Sequence, residues 1–439
     1  MKDFDNPLIA GADANYDNED LLFATLGINI SHDASIAIVQ AGKLLECHDE
    51  SRIRRDKYWS PGENDETPFY ESIDRLQDKH RAGNWINFKD IIFASFDRRA
   101  IELVLDKGEL CHDRIKAREL LAELKEEPLG AKRLEYFVLK YGEKNFSYDL
   151  SHKNDENIID EIRNNQLESA TSYFVPDAHH IYHAYCGYRL SPFYEKNKKA
   201  ITIVWDGGGA QPLFEEYPGY QEIESIYISS PDKLAACQYS KLSNIRTTDD
   251  MQSTHFPNDL HGCCGATDDA TITRDGVEYC LTSKPSSGMN FSNMSSALGT
   301  DDLGRAAGKV MGMASYATQT PEFNVFNRYT AAQLCELESF KASCVVIEKA
   351  IALNPDVKNI VLSGGFSLNC TNNYKYLERF PEHQIFVDPI PHDGGTAAGA
   401  ALWLEEHKRY EALGLVTTED NKDKPIDPTA TTVFSGDTV

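Results

Sequence analysis

The sequence specifies an α/β fold, and three observations carry that expectation. Segments of aliphatic and β-branched residues alternate along the chain with segments of helical periodicity, which places helices on sheets with mainly parallel central strands. One layout recurs near 28–38, 201–212, 360–370 and 385–400: a strand, an Asp or Gly-Gly turn, then a further strand or a helix. No repeat exists at the level of residues, so the recurrence of layout alone predicts a duplicated pair of domains, for which 439 residues suffice.

Taken in order, residues 1–20 read as a flexible acidic leader. "LLFATLGINI" and "ASIAIVQAGKLLECHDE" read as two or three strands joined by tight turns, with Gly42-Lys43 at a hairpin. The stretch 101–170 is charged and helical; there "LEYFVLKY" sets Leu134, Phe137, Val138 and Tyr141 on one face. In "FVPDAHHIYHAYCGYRLSPF", 174–193, Asp177 stands where a helix N-cap would and Ser191-Pro192 stops the helix. "KKAITIVWDGGGAQ" gives a buried strand at 200–205 that ends in Asp206 and a glycine turn. Polar connections with weak strand signals fill 217–300, and no element is placed there. A helix over 331–353 carries Leu337, Phe340, Cys344, Ile347 and Ile351 on one stripe and ends at Asn354-Pro355. "KNIVLSGGFSLNC" is a strand running into a glycine turn and a helix start. "HQIFVDPIPHDGGTAAGAALWLEEH" is a strand, an Asp-Gly-Gly turn and a terminal helix. The domain boundaries expected are 21–200, with the insertion at 101–170, and 201–413, followed by an uncompacted tail over 414–439.

Composition limits the function classes. The chain is 41% hydrophobic and has neither a signal-type N-terminus nor an apolar run of membrane-spanning length, so the expectation is a soluble intracellular protein with no membrane partner. Ten cysteines are scattered without a C-x-x-C, which suits reduced thiols rather than a disulfide framework. "HGCCGATDD" at 261–269, with Cys280 downstream, imitates a zinc site, but adjacent cysteines rarely chelate one ion comfortably. A formal charge of −25 repels nucleic-acid phosphates, so any polynucleotide must be gripped by a local basic patch; "ESRIRRDKYW" at 50–59 is the best of these.

His179 and His183 are four residues apart on the expected helix, so both imidazoles project from one face, at the spacing of a two-histidine metal site. Buried histidines paired with carbonyls have the same appearance, and His180 points about a quarter-turn away. Glycines straight after a buried strand let backbone N–H groups approach an anion. "DGGGA" and "SGGFSLN" both have that form and together favour a nucleotide or phosphoester ligand, although glycine also serves ordinary tight turns. Asp206 and Asp393 each end an expected strand just before glycines, which places their carboxylates at the carboxyl edge of a sheet, where open α/β sheets bind ligands. Two histidines and two carboxylates suit iron, manganese or zinc with positions left open for substrate oxygens. Either Asp could instead cap its own turn, and periodicity does not decide between these readings.

Seven ordered motifs over residues 26–402 carry a resemblance: "LGINISHDASIAIV", "ESRIRRDKYW", "HHIYHA", "VWDGGGA", "GKVMGMASYA", "SGGFSLNCTNN" and "PIPHDGGTAAGAAL". With them the chain resembles the O-carbamoyltransferase family of nodulation-factor, cephem and aminoglycoside carbamoyltransferases. The family's main domain shares the actin-like (ASKHA, ribonuclease H-like) fold with the tRNA threonylcarbamoyl-transfer enzymes. The resemblance implies two subdomains around a central nucleotide and metal cleft. It assigns His179, His183, Asp206 and Asp393 as ligands of a divalent metal, iron first, with manganese or zinc as alternatives. His32 and Lys57 match residues lining the carbamoyl and phosphate end of the donor. Gly207, Gly208, Lys309, Gly364, Gly365 and Asn369 fall in motifs around the nucleotide.

The chemistry implied is attack by an acceptor hydroxyl on carbamoyl-adenylate, itself made from carbamoyl phosphate and ATP, with AMP leaving. Lys57 would neutralise the phosphate, and His32 would either accept the hydroxyl proton or hold the carbamoyl group. Longer family members continue into a YrdC-like domain that makes the donor; this chain is expected to lack it, so that either a separate partner supplies carbamoyl-adenylate, or the single domain handles the donor differently, or the sequence is a fragment. The acceptor is expected to be a small-molecule hydroxyl, a nucleotide, or the hydroxymethyl group of modified cytosine in viral DNA. Such a reaction belongs in the cytoplasm of a bacterium or of a virus-infected host. The readings left standing beside it are a nucleotide-binding regulatory subunit of actin-like fold and a kinase that would release ADP rather than AMP.

Overall fold

The computed structural model describes residues 23–30, 33–55, 57, 87–96, 171–174, 178–213, 216–217, 219–244, 270–300, 306–317 and 327–412. The expected leader, His32, the helical stretch 101–170 with its apolar face, Asp177, the 261–269 cysteines and the tail lie outside them.

The described residues form two compact units, each with its own sheet. The first unit opens with β1 (Phe23–Ile30), β2 (Ser35–Gln40), β3 (Lys43–Asp49), the short helix α1 (Glu50–Arg54), β4 (Asn87–Phe96) and β5 (Thr171–Phe174). The second unit starts with α2 (His179–Arg189) and α3 (Pro192–Glu195). Its strands follow: β6 (Ala200–Trp205), β7 (Gln221–Ser230), β8 (Lys233–Ser243), β9 (Ala270–Arg274) and β10 (Val277–Thr282). Then come α4 (Ser287–Ala297), α5 (Ala307–Ala314), α6 (Arg328–Leu353), β11 (Asn359–Ser363), α7 (Cys370–Arg379) and β12 (Gln384–Val387). The chain returns to the first unit for α8 (Gly394–Ala412). The division read from the sequence was 21–200 and 201–413, whereas the chain passes between the units at 176/177 and again at 392/393. The reason for the return is packing: α8 lies on β1, β2 and β4 of the first sheet.

One strand order occurs twice. The five-stranded sheet runs β3-β2-β1-β4-β5, and the seven-stranded sheet contains the same order as β8-β7-β6-β11-β12, extended beyond β8 by β10 and β9. In each, the first three strands form an antiparallel meander. In each, the last two strands run parallel to the first. That duplicated pattern is the actin-like, ribonuclease H-like architecture. The sheets are therefore mixed rather than mainly parallel, because short turns fold the meanders back. The first of these turns is Ala41-Gly42, one residue before the expected position, with both φ angles positive (49° and 71°) as a two-residue hairpin turn of this hand requires.

In the first unit the close approach of α8 to the sheet depends on Gly27: a Cβ there would lie 1.9 Å from the Ala397 carbonyl oxygen. The facing helix is correspondingly small, with Ala397, Ala398, Ala400 and Ala401 buried. Lys408 Nζ donates to both carboxylate oxygens of Asp90 at 2.7 Å, joining α8 to β4.

In the second unit β6 is buried along its whole length, as a strand covered on both faces must be, and its side chains enter the two faces in turn. Ile201, Ile203 and Trp205 join the core formed with α4, α5, α6 and α7. Ala200 faces the other way and packs with Tyr188, Phe193 and Val361. Burying each isoleucine contributes roughly 1.5–3 kcal/mol. Cys344 and Ile347 of the expected α6 stripe are buried, but Leu337, Phe340 and Ile351 are only half-buried. The buried seam runs instead through small residues, among them Ala332, Cys335, Ser339, Ser343 and Ala350. The hydroxyls of Ser339 and Ser343 are satisfied by the helix's own carbonyls at 2.6 and 2.8 Å. Asn327 caps α6, its Oδ1 accepting from the Tyr329 and Thr330 amides at 3.0 and 2.9 Å. Asn327→Ala is expected to lower stability by about 1 kcal/mol in denaturant unfolding without changing metal content.

The stretch 217–300, for which the sequence placed no elements, contains β7 to β10 and α4. Its strands bury Gln221, Glu222, Glu224, Ser225 and Ser229, so the apolar alternation that marks a strand is missing. Hydroxyl pairs satisfy the buried groups: Thr202 with Ser229 and Ser225 with Ser240, each at 3.0 Å. No helix among the described residues is long and apolar enough to cross a membrane.

Candidate metal centre

The neighbouring parallel strands β6 and β11 deliver Asp206 and the Gly364-Gly365 turn to one sheet edge. Helix α2 lies over them. It approaches closely at Gly187, where a Cβ would stand 2.9 Å from Val361 Cγ1. The first two turns of α2 then hold His179 and His183 above the end of β6.

His179 Nε2 lies 2.9 Å from Asp206 Oδ2 and 3.2 Å from His183 Nε2. The two rings meet edge to face, with centroids 4.8 Å apart. His183 is fully buried, and Asp206 and Asp393 are also buried. Asp393 opens the stretch that returns to the first unit, and the peptide bond from His392 tethers it to the second. One ligand atom from each of His179, His183, Asp206 and Asp393 lies within 4.8 Å of all the others.

This donor set fits a divalent cation. Adjacent ligands of one ion at about 2.1 Å stand about 3 Å apart, which is the spacing from His179 to Asp206 and from His179 to His183 here. Two imidazoles with two carboxylates are borderline donors of the kind that take iron, manganese or zinc. Buried carboxylates gathered so closely repel one another, and a cation removes that cost.

Asp393 does not end a strand, contrary to the sequence expectation. Strand β12 stops at Val387, Asp388 follows it, and the Pro389 and Pro391 of "DPIP" prevent the strand from continuing. Asp393 instead stands directly before α8, its carbonyl accepting from Asn29 Nδ2 at 3.1 Å and from Thr396 Oγ1 at 2.6 Å.

The glycine turns back the cluster. Gly364 has φ 85°, and a Cβ there would meet the Trp205 carbonyl oxygen at 2.1 Å; at Gly365 it would stand 3.2 Å from Asp206 Oδ1. At Gly208 a Cβ would collide with the Gln221 side chain at 2.4 Å, whereas Gly207 has open space. His180 turns away from the cluster, as its quarter-turn offset requires. Its Nδ1 lies 2.8 Å from Ser225 Oγ, and its ring packs against Gly209.

The other sequence-assigned residues have ordinary contacts. Asn369 Oδ1 caps α7 through the Asn372 amide at 3.1 Å, and Asn369 Nδ2 donates to Glu336 Oε2 at 3.1 Å. Burial pushes the Glu336 carboxyl upward, opposed by the bond from Asn369 and by Lys375. Lys309 is exposed on α5, with Nζ 3.4 Å from the Thr300 carbonyl. Lys57 is exposed in a turn beyond α1 in the first unit. His32 lies outside the described residues; Ser35 Oγ, at the start of β2, donates to the Gly394 carbonyl at 2.8 Å. Asp388 was not singled out in the sequence, although an Asp between a strand and a Pro was the signal available.

Fold and site together define a protein of duplicated actin-like architecture with a His₂-carboxylate₂ cluster at the edge of its second sheet. The Carbamoyltransferase N-terminus family matches residues 24–324 and 327–402, and the chain belongs to that family. Comparison with the curated proteins found no match. Among solved structures the chain is similar to full-length HypF in its phosphate- and nucleotide-bound form, at 11% identity, over 88% of this chain and 56% of that one, with a TM-score of 0.44. It is similar to HypF of T. kodakarensis at 12% identity, over 91% and 49%, with a TM-score of 0.46. A ROK family protein from Streptococcus pneumoniae TIGR4, in complex with sucrose, is 12% identical over 88% and 100%, with a TM-score of 0.38. The chain spans about half the length of the HypF chains it matches. The fold assignment rests on the repeated strand order.

Proposed function

We propose that the protein is a metal-dependent O-carbamoyltransferase that moves a carbamoyl group from carbamoyl-adenylate to an acceptor hydroxyl. The observation that carries this reading is the gathering of His179, His183, Asp206 and Asp393 in a member of the carbamoyltransferase family. In the reaction the acceptor oxygen forms a bond to the carbamoyl carbon, the bond from that carbon to the AMP phosphate breaks, and the hydroxyl proton is lost. A bound divalent cation, iron by first preference, supplies Lewis acidity toward the donor oxygens.

The chain's own residues do the rest. His179, His183, Asp206 and Asp393 would hold the cation, and the Gly207-Gly208 and Gly364-Gly365 turns would set backbone N–H groups against the nucleotide phosphate. Lys309 and Asn369 belong to the nucleotide's surroundings in this reading. Lys57 neutralises the leaving phosphate as a point charge, and His32 accepts the proton or orients the carbamoyl group. Carbamoyl phosphate and ATP are the source of the donor, in the cytoplasm of a bacterium or of an infected host.

The acceptor is a small-molecule hydroxyl, a nucleotide, or the hydroxymethyl group of modified cytosine in viral DNA; a net charge of −25 disfavours extensive duplex contact. A mass-spectrometric screen tests the assignment, with nucleosides and hydroxymethylated DNA beside sugars, each supplied with cation and carbamoyl-adenylate. The expected result is one acceptor class heavier by a carbamoyl group, with AMP released. Transfer to none of these acceptors would count against the assignment, and consumption of ATP to ADP with phosphorylation of an acceptor would replace it with a kinase.

A further inference from the structure

Asp388 is a buried carboxylate, 2% exposed, that the reaction described above does not use. It joins three elements of the second unit. Ser363 Oγ, at the end of β11, donates to Oδ2 at 2.6 Å. The Ile390 amide, in the run toward Asp393, donates to Oδ1 at 2.9 Å. Cys186 Sγ, one turn beyond His183 on α2, donates to the same oxygen at 3.6 Å. A Cβ at Gly187 would stand 3.4 Å from Oδ2, so the helix backbone rests against the carboxylate.

All three of these partners donate and Asp388 only accepts, which is the pattern of an ionised carboxylate. Burial pushes its pKa upward, opposed by the bonds from Ser363, Ile390 and Cys186. A buried polar tie between elements holds them in one arrangement, because each lost bond leaves an unsatisfied group.

The three tied elements are those that aim the cluster. Helix α2 carries His179 and His183, β11 leads into the Gly364-Gly365 turn against Asp206, and the Pro-containing run ends at Asp393. We propose that Asp388 is a positioning residue of the metal centre: by pinning α2, the end of β11 and the run toward Asp393, it sets the spacing of the four ligands. This rests on the reading of that cluster as a metal site.

The test is a cobalt(II) titration of the chelator-treated protein, following the d–d absorption, for wild type, Asp388→Asn and Ser363→Ala. Thermal unfolding in EDTA is measured in parallel. Asparagine keeps the size of the side chain but turns one acceptor into a donor. Asp388→Asn is expected to bind cobalt about 10–100-fold more weakly, with a shifted d–d band, in protein that is still folded. A folded variant with the wild-type isotherm and band overturns the proposal, whatever its melting temperature, because a merely structural tie would move only the latter. Where Asp388→Asn does not fold, Ser363→Ala decides the matter, since it removes one bond and leaves the charge. Weaker cobalt binding by it supports the role and an unchanged isotherm overturns it. Wild-type protein that takes up no cobalt overturns the metal reading itself, before any variant is compared.

Discussion

His179→Ala is expected to leave a folded protein without metal and to lower carbamoyl transfer by about a thousandfold, the scale of losing several kcal/mol of transition-state stabilisation. The reason is geometric. His179 Nε2 lies 2.9 Å from Asp206 and 3.2 Å from His183, so its removal takes away a donor close to two others. His180→Ala is the informative control. That ring faces Ser225 and Gly209, so its loss is expected to reduce stability while metal content, measured by elemental analysis, stays at the wild-type level. Full transfer by metal-free His179→Ala protein would contradict the assigned role.

The largest effect on folding is expected at Gly364. Alanine there must adopt φ 85° and place its Cβ 2.1 Å from the Trp205 carbonyl oxygen, a backbone atom of the central strand that cannot move aside cheaply. Strain and overpacking together are expected to cost about 3–5 kcal/mol, enough to lower the melting temperature by about 10 °C or to leave the protein insoluble. Gly365→Ala provides the contrast. It has no positive φ, and its Cβ would press only on the Asp206 carboxylate at 3.2 Å. It is expected to fold, and to bind metal more weakly than wild type. Calorimetry beside a metal titration separates the two glycines; equal melting temperatures for both variants would refute the account of the turn.

Local signals were strong where the chemistry is local. The i, i+4 histidines of α2, the fully buried β6 and the Asn-Pro stop of α6 could all be read from neighbouring residues, and the structure contains each. The same locality explains what was misread. Strands β7 and β8 bury Glu, Gln and Ser, whose acceptability depends on partners in adjacent strands that no sequence window contains. Asp393 looked like a strand terminus because it precedes glycines, but Pro389 and Pro391 had already ended the strand and left Asp388 in that place. The return of α8 to the first sheet could not be inferred from periodicity either. Gly27, 367 residues before α8 begins, reads in the sequence only as a glycine, and in space it accommodates the Ala397 carbonyl. Conversely, the two histidines and two aspartates were read as a set, and the structure brings their ligand atoms within 4.8 Å of one another.

If this cluster supports carbamoyl transfer, AMP release from supplied carbamoyl-adenylate depends on the cation it holds. Chelated protein restored with cation and mixed with donor and a competent acceptor is expected to release AMP in step with carbamoylated product, and neither should form without the cation. Equal AMP release and product in the chelated and restored samples would contradict it.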